Sequence, residues 1–159
     1  MSLFQTFWLW LALVSANDSV AIYNDSGRYS YLGCFNETTD IPASDHSRAL
    51  SDGINQVRPG QMTVPMCLAF CANGATRYRY AGLEWSRECW CSQSLSGIAS
   101  KLPDSDCGFP CEGDTLTACG GVLKLSIYQL SGSSSRAYPA CIVVLLSAFW
   151  GLVVAFITI

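Results

Sequence analysis

“CLAFC” (Cys67–Cys71) and “CWC” (Cys89–Cys91) hold four of the nine cysteines in this chain of 159 residues. Cys67 and Cys71 are four residues apart, so on a helix they share a face and lie about 6 Å apart along its axis. Cys89 and Cys91 are two apart, so on a strand they also share a face, at about 6–7 Å. Because the spacings match, a helix lying across that strand can form the disulfides Cys67–Cys89 and Cys71–Cys91. The crossed pairing results if the helix runs in the opposite direction.

Local signals around these cysteines predict one helix and several strands. The segment “TVPMCLAFCANG” is predicted to be a helix, since Thr63 suits its N-cap and an Asn-Gly pair suits its end. Alternating patterns predict strands in “YSYLGCF”, where Leu32 and Cys34 are expected to share a face, and in “RYRYAGLEW”, “ECWCS” and “GVLKLSIYQL”. Residues 36–62 and 93–121 are predicted to be loops, the first with one helical turn near “SRAL”.

The number of cysteines indicates disulfides. Eight lie between Cys34 and Cys119, and the ninth, Cys141, belongs to an apolar tail. An even set in an exported domain predicts four disulfides. A zinc site is the alternative, but zinc ligands usually come from tight turns and reducing compartments. We therefore predict no metal and no other cofactor.

Both ends of the chain resemble processing signals. Residues 1–16 are apolar and end in “VSA”, which suits signal peptidase, with a buried N-terminal helix as the alternative. Residues 131–139 form a short linker with small residues, and residues 140–159 form an apolar tail. This order predicts a glycosylphosphatidylinositol (GPI) lipid-anchor signal, with a single-pass transmembrane helix as the alternative.

The exported character of the chain also agrees with its sequons and charge. N-glycosylation sequons begin at Asn17, Asn24 and Asn36. The formal charge of −3, with scattered basic residues, argues against a nucleic-acid partner. We therefore expect an extracellular, membrane-anchored protein of the cell surface or cell wall.

The alternation of side chains sets the direction of Trp90. If Cys89 and Cys91 face the helix, Trp90 faces the opposite side of the sheet. An exposed aromatic ring there would suit a sugar, whose C–H groups pack on ring faces. The alternative is that one of the two loops folds over the ring and makes a minor core, since tryptophan is on average highly buried.

Three tyrosines are expected to extend this aromatic surface. Tyr78 and Tyr80 are expected to share a face of the neighbouring strand, and Tyr128 to point away from Leu125 and Ile127. The candidate glycan-binding residues are therefore Trp90, Tyr78, Tyr80 and Tyr128.

Several segments of residues 28–130 together resemble the WSC domain, which occurs in fungal cell-wall stress sensors, in some fungal wall-directed enzymes and in animal kremen and polycystin proteins. These segments are “YLGCF”, “MTVPMCLAFCA”, “YAGLEWSRECWC”, “PCEGDTLTACGG” and “LSIYQL”. The resemblance covers all eight domain cysteines. One departure is Ser92, since the family often continues “CYCGN” at this point.

The resemblance implies a fold, a pairing of cysteines and a function. The fold is α+β, a small disulfide-rich module similar to PAN/apple domains, with one main helix on an antiparallel sheet. The implied function is binding of carbohydrate, commonly β-glucan of fungal walls. The implied disulfides are Cys34–Cys107, Cys67–Cys89, Cys71–Cys91 and Cys111–Cys119.

Catalysis is not expected. His46 is the only histidine and lies in a polar loop, so no nucleophile–histidine set can be assembled from bridged cysteines. Asp104 and Asp106 lie in a loop rich in turn formers, and a domain this small offers no deep cleft for a glycosidase. A surface-tethered glycan-binding module is therefore predicted. A cell-wall stress sensor and a protein-binding structural surface protein are the alternatives.

Overall fold

The computed structural model describes residues 20–131, which form eight strands, one α-helix and two short 3₁₀ turns. The helix is α1 (Val64–Asn73), and the 3₁₀ turns are Pro42–Ser44 and Asp104–Cys107. The strands are β1 (Tyr29–Asn36), β2 (Asn55–Val57), β3 (Tyr80–Glu84), β4 (Glu88–Ser92), β5 (Lys101–Leu102), β6 (Pro110–Cys111), β7 (Asp114–Ala118) and β8 (Lys124–Leu130). The predicted fold class, a small disulfide-rich α+β domain with one helix on an antiparallel sheet, is confirmed.

Six strands form one antiparallel sheet in the order β2-β4-β3-β8-β1-β5, and β6 and β7 form a separate hairpin. The first and last long strands are neighbours, and Tyr29 pairs with Leu130 at the open end of the β1–β8 ladder. Beyond it, Ser131 N donates to Arg28 O at 2.7 Å. The start of β1 and the end of β8 therefore lie side by side, whereas the residues before β1 reach β7, where Ala21 N donates to Leu116 O at 2.8 Å.

Helix α1 lies across β3 and β4 and is bonded to β4 by two disulfides. Thr63 caps the helix as predicted, and its side-chain oxygen accepts a hydrogen bond from Met66 N at 3.2 Å. The disulfides are Cys67–Cys89 and Cys71–Cys91, with Cα–Cα distances of 5.5 and 5.4 Å.

Of the two further disulfides, one connects the 3₁₀ turn at Asp104–Cys107 to β1 and the other closes the β6–β7 hairpin. They are Cys34–Cys107 and Cys111–Cys119, so all four pairs are those implied by the family resemblance. Three sulfurs, of Cys67, Cys71 and Cys89, lie close enough together to suggest a metal site. Because each is in a disulfide, none is a free thiolate for zinc.

The sheet has two covered faces. On the helix face, α1 and the disulfides pack on Ala81, Leu83 and Tyr128. On the opposite face, called here the loop face, Ala49 and Leu50 pack against the strands. The segment 36–62 therefore covers part of the surface that a one-helix fold would leave open.

Local details differ from the sequence predictions. A β-bulge between Tyr31 and Gly33 shifts the register, so Leu32 packs on the loop face while Cys34 pairs with Ser126 of the helix face. The two side chains therefore do not share a face. The predicted turn near “SRAL” lies instead at Pro42–Ser44, and “SRAL” supplies residues that pack on the sheet.

Within residues 20–131, no helix has both the length and the apolar character needed to cross a membrane. The predicted signal peptide at 1–16, most of the linker at 131–139, the tail at 140–159 and the sequon at Asn17 lie outside the described residues.

Candidate functional site

Trp90 points to the loop face, as the alternation on β4 predicts. Its neighbours Cys89 and Cys91 are 0% and 1% exposed and are bonded to the helix on the other side of the sheet. The indole is half-buried, and its Nε1 donates to Glu88 Oε2 at 3.1 Å. The strand and this hydrogen bond therefore fix the ring before any ligand arrives.

The three tyrosines do not form one surface with Trp90. Tyr128 does point away from Leu125 and Ile127, but it is 1% exposed and packs in the helix-face cluster. The alternation on β8 is as expected, but Tyr128 does not share the face of Trp90, because Leu125 and Ile127 lie on that face and pack with Leu50. Tyr128 therefore contributes no exposed ring.

Tyr78 and Tyr80 also lie on opposite faces. β3 begins at Tyr80, which packs on the loop face. Tyr78 precedes the strand; its backbone N donates to Cys71 O at 3.0 Å, and its ring packs on the helix face. The expected alternation fails here because Tyr78 follows the end of the helix and is not in the ladder.

Two glycines allow the segment 48–55 to lie against the sheet. A Cβ at Gly82 would lie 2.6 Å from Leu50 Cδ1, so the missing side chain makes room for Leu50 on the loop face. A Cβ at Gly53 would lie 2.1 Å from Cys91 O, so the backbone there touches the edge of β4. The segment therefore passes close beside Trp90.

A cleft of about 390 Å³ lies between this segment and Trp90. Leu50 and Ile54 supply apolar surface, and Ile54 is 40% exposed. Ser51 and Asn55 supply polar groups at the rim. An aromatic wall with a few polar groups at its edge is typical of small-molecule and sugar pockets of this size.

Arg48 forms another wall of the cleft and stacks on the indole. Its Cζ lies 3.7 Å from the centroid of the Trp90 ring, a cation–π contact. Its Nη2 lies 2.9 Å from Glu37 Oε2 and also contacts Glu84 Oε2. The two carboxylates are almost fully buried, whereas the arginine side chain is 28% exposed. Arg48 therefore links a buried charge cluster to the surface of the cleft.

The environment of Glu84 favours its protonated form. Burial raises the pKa of Glu84 to about 8, and the nearby Glu37 and Glu88 act in the same direction, against the opposing effect of Arg48. Glu84 is 0% exposed, and its Oε1 has no hydrogen-bond partner within the described residues.

Comparison with known proteins agrees with this disulfide framework. A family model described as the WSC domain matches residues 31–121. The chain belongs to the WSC domain family. WSC domains are generally carbohydrate-binding modules of the cell surface, and a disulfide-rich WSC domain indicates an extracellular or cell-surface location.

Three similar proteins show how widely the WSC domain is used. A WSC domain-containing protein of Arthroderma benhamiae is 35% identical over 108 residues, 66% of this chain and 11% of that protein. Xylosyltransferase oxt of Drosophila melanogaster is 34% identical over 62% of this chain and 10% of the fly protein. Kremen protein 2 of mouse is 33% identical over 67% of this chain and 21% of the mouse protein. This chain therefore spans only a small part of the length of each.

Ser92, where the WSC sequence departs from the common “CYCGN”, anchors the edge of the cleft segment. Its buried hydroxyl donates to Asp52 Oδ1 and lies 2.7 Å from Ser94 O. Gln93 N donates to Asp52 Oδ1 at 2.7 Å, and Ser94 Oγ donates to Oδ2 at 2.5 Å. Where the family often has a glycine without a side chain, Ser92 therefore forms a hydrogen bond to the segment 48–55.

This arrangement predicts a loss of stability in acid. Partial burial raises the pKa of Asp52, but hydrogen bonds from Ser92, Ser94 and Gln93 outweigh it and lower the pKa to about 2. The stabilisation is therefore present above the ordinary value of 3.8 and is lost as the pH falls toward 2. Thermal unfolding of Asp52→Asn should lack this decline. If the melting temperature of Asp52→Asn falls in acid as much as that of the wild-type protein, the loss of stability comes from another carboxylate.

The sequence alone did not reveal Arg48 or the polar rim of the cleft. A lone arginine in a polar loop has no local signal, because its carboxylate partners come from the end of β1 and from β3. Among the described sequon residues, Asn24 is exposed and half-buried Asn36 is hydrogen-bonded through its amide to Ser100 N and Glu37 O.

Proposed function

We propose that this WSC domain binds cell-wall polysaccharide of the β-glucan type in the cleft beside Trp90. The proposal makes the chain a non-catalytic module that holds glycan at the cell surface. The observation that carries it is an aromatic ring, fixed by the strand between two disulfides, beside a cleft with polar side chains at its rim.

The chemistry of the cleft supports a neutral sugar ligand. A sugar ring offers C–H groups to an apolar wall and hydroxyls to polar groups, and Leu50, Ile54 and Trp90 stand beside Ser51 and Asn55. Arg48 already covers part of the indole, so the sugar is expected to contact the remaining surface of the ring and the guanidinium edge. A ring ordered in advance loses little rotamer entropy on binding.

Tyr80 is the tyrosine best placed to assist this site, since it packs on the same face of the sheet as Trp90. Tyr128 is buried on the helix face, so its replacement is expected to leave glycan binding unchanged, whereas the ring of Tyr78 supports the cleft only from behind, next to Gly53.

Attachment to the membrane is part of the same proposal. A lipid anchor added near residues 131–135 would hold the domain at the surface, with a transmembrane helix at 140–159 as the competing mode. Phospholipase treatment should release the protein from membranes in the first case. Retention, with a peptide from the tail in the mature protein, would establish the second.

Replacement of Trp90 tests the glycan site. Trp90→Ala is expected to weaken binding by at least about 1 kcal/mol, close to fivefold in Kd, because the largest apolar wall of the cleft is lost. Binding is measured by sedimentation with insoluble β-1,3-glucan and by calorimetry with soluble β-1,3-oligosaccharides, with chitin and cellulose as competing polysaccharides.

Trp85→Ala is the matched control, since Trp85 is a second tryptophan at the β3–β4 turn and is 38% exposed. It should bind glucan like the wild-type protein. If Trp90→Ala folds and binds glucan normally, the cleft is not the glycan site. If Trp90→Ala lowers the melting temperature sharply, Trp90→Tyr is compared with the wild-type protein instead, because it keeps a ring on the loop face.

A protein-binding role is the second candidate. Exposed apolar side chains surround the β3–β4 turn, where Trp85 N donates to Gly121 O at 3.3 Å, and include Phe109 and Val122 at 43% and 45% exposure. Two results together would favour this role: the wild-type protein binds none of the polysaccharides, and it captures a protein partner that Trp85→Ala no longer captures.

A further inference from the structure

The charge cluster behind the cleft contains one cation and two buried carboxylates. Arg48 Nη2 contacts both Glu37 and Glu84, whose side chains are 1% and 0% exposed. A single guanidinium cannot neutralise two carboxylates, and an uncompensated buried charge is costly. One of the two carboxyls is therefore expected to hold a proton.

The hydrogen bonds decide which carboxyl is protonated. Glu37 Oε1 accepts the backbone N–H groups of Thr38 at 2.7 Å and Ala49 at 2.5 Å, and such donors favour the charged form. Glu84 accepts no backbone N–H, and its Oε1 has no partner among the described residues. Glu84 is therefore the protonated group, and the rise of its pKa to about 8 agrees with this assignment.

The other charged groups near Glu84 are already engaged. Glu88 on β4 accepts the indole N–H of Trp90. Arg87 in the β3–β4 turn pairs with Glu112 at 3.1 Å. Lys124 at the start of β8 pairs with Asp106 at 3.3 Å. Arg48 is therefore the cation that responds to the charge of Glu84.

We propose that the proton on Glu84 sets the position of Arg48 on Trp90 and thereby makes glycan binding in the cleft depend on pH. This inference rests on the proposed function of the cleft. With Glu84 neutral, Glu37 balances Arg48 and the guanidinium stays on the indole. When Glu84 loses its proton, the cluster carries a net negative charge, and the guanidinium, which contacts both carboxylates and the ring, is held more strongly by the carboxylates, so its contact with the ring loosens.

The first experiment follows Trp90 in the full-length protein without ligand. Its indole N–H signal in a ¹⁵N NMR spectrum is assigned by its absence in Trp90→Phe. The signal is expected to shift with a midpoint near pH 8 in the wild-type protein and to stay constant in Glu84→Gln, which mimics the protonated acid.

Two further variants make this result decisive. Glu88→Gln should keep the titration, with a lower midpoint because the charge of Glu88 helps to raise the pKa of Glu84, although the Glu88 side chain bonds to the indole directly. Glu37→Gln should also lower the midpoint, because Arg48 is then left to Glu84 alone. Three results would overturn the inference. They are an indole signal of the wild-type protein that does not shift with pH, a shift that persists in Glu84→Gln, and a shift that is lost in Glu88→Gln. Glu37→Gln provides a test even if Glu84→Gln does not fold.

The second experiment measures binding to β-1,3-glucan well below and well above pH 8. Binding is expected to weaken about two- to fivefold at the higher pH, because a guanidinium held by two charged carboxylates offers less to the sugar hydroxyls at its edge, and Glu84→Gln should remove this dependence. Equal binding at both pH values overturns the inference. No binding at any pH, with the indole titration intact, overturns the proposed function and leaves the proton-dependent contact supported.

Discussion

Replacing Cys67 and Cys89 together by alanine is expected to lower the free energy of unfolding by about 2–5 kcal/mol, enough to prevent the domain from folding at physiological temperature. The disulfide joins residues 22 positions apart, and without it the unfolded chain gains conformational freedom. Both sulfurs are 0% exposed, so the change also removes packed atoms from the helix-face core. A domain of this size has little other burial to compensate for the loss.

Denaturant unfolding with mass spectrometry of the non-reduced protein measures this effect. Met66→Ala is the control, since Met66 lies on the same helix and is 37% exposed, so the change should leave domain stability within about 0.5 kcal/mol of the wild-type value. A double alanine variant that unfolds at the wild-type denaturant concentration would show that the packing of α1 on β3 and β4 suffices without this disulfide.

Gly53→Ala is expected to destabilise the domain by about 2–3 kcal/mol and to deform the cleft. The added Cβ would lie 2.1 Å from Cys91 O and 2.7 Å from Tyr78 Cε1, so the backbone of segment 48–55 must move away from β4. Because Gly53 lines the cleft, glucan affinity should fall together with stability.

The matched control for this change is Gly97→Ala, also in a loop, where nothing lies within 4 Å of the added atom. Its stability should remain within about 0.5 kcal/mol of the wild-type value. Thermal unfolding and glucan sedimentation measure both variants. Unchanged stability in Gly53→Ala would mean that the segment can leave the strand edge at little cost.

The parts of the fold that the sequence predicted are those determined by short-range periodicity. Four-residue and two-residue spacings set the faces of the helix and of β4, and these placed the sulfurs of Cys67, Cys71, Cys89 and Cys91 correctly. The direction of Trp90 followed from the same alternation. Such features depend on neighbours in the chain and need no knowledge of distant contacts.

The remaining features depend on contacts between distant segments. Leu50 covers Leu125 and Ile127 because Gly82, far along the chain, leaves space for it. The loop therefore covers the face of Leu125 and Ile127, and Tyr128 is buried on the helix face, although the alternation of β8 was as expected. Alternation identifies which residues share a face, but it does not say which face a loop will cover.

The adjacent ends of β1 and β8 determine how the sheet responds to mechanical load. Force applied through residues 28 and 131 would separate β1 from β8 at the Tyr29–Leu130 end of their ladder. The covalent path between these ends runs through the Cys34–Cys107 disulfide and bypasses residues 35–106. Tension would therefore reach β1 and the chain after Cys107, except residues 112–118, which the Cys111–Cys119 disulfide bypasses. The helix, β3, β4 and the cleft beside Trp90 lie off the stretched path.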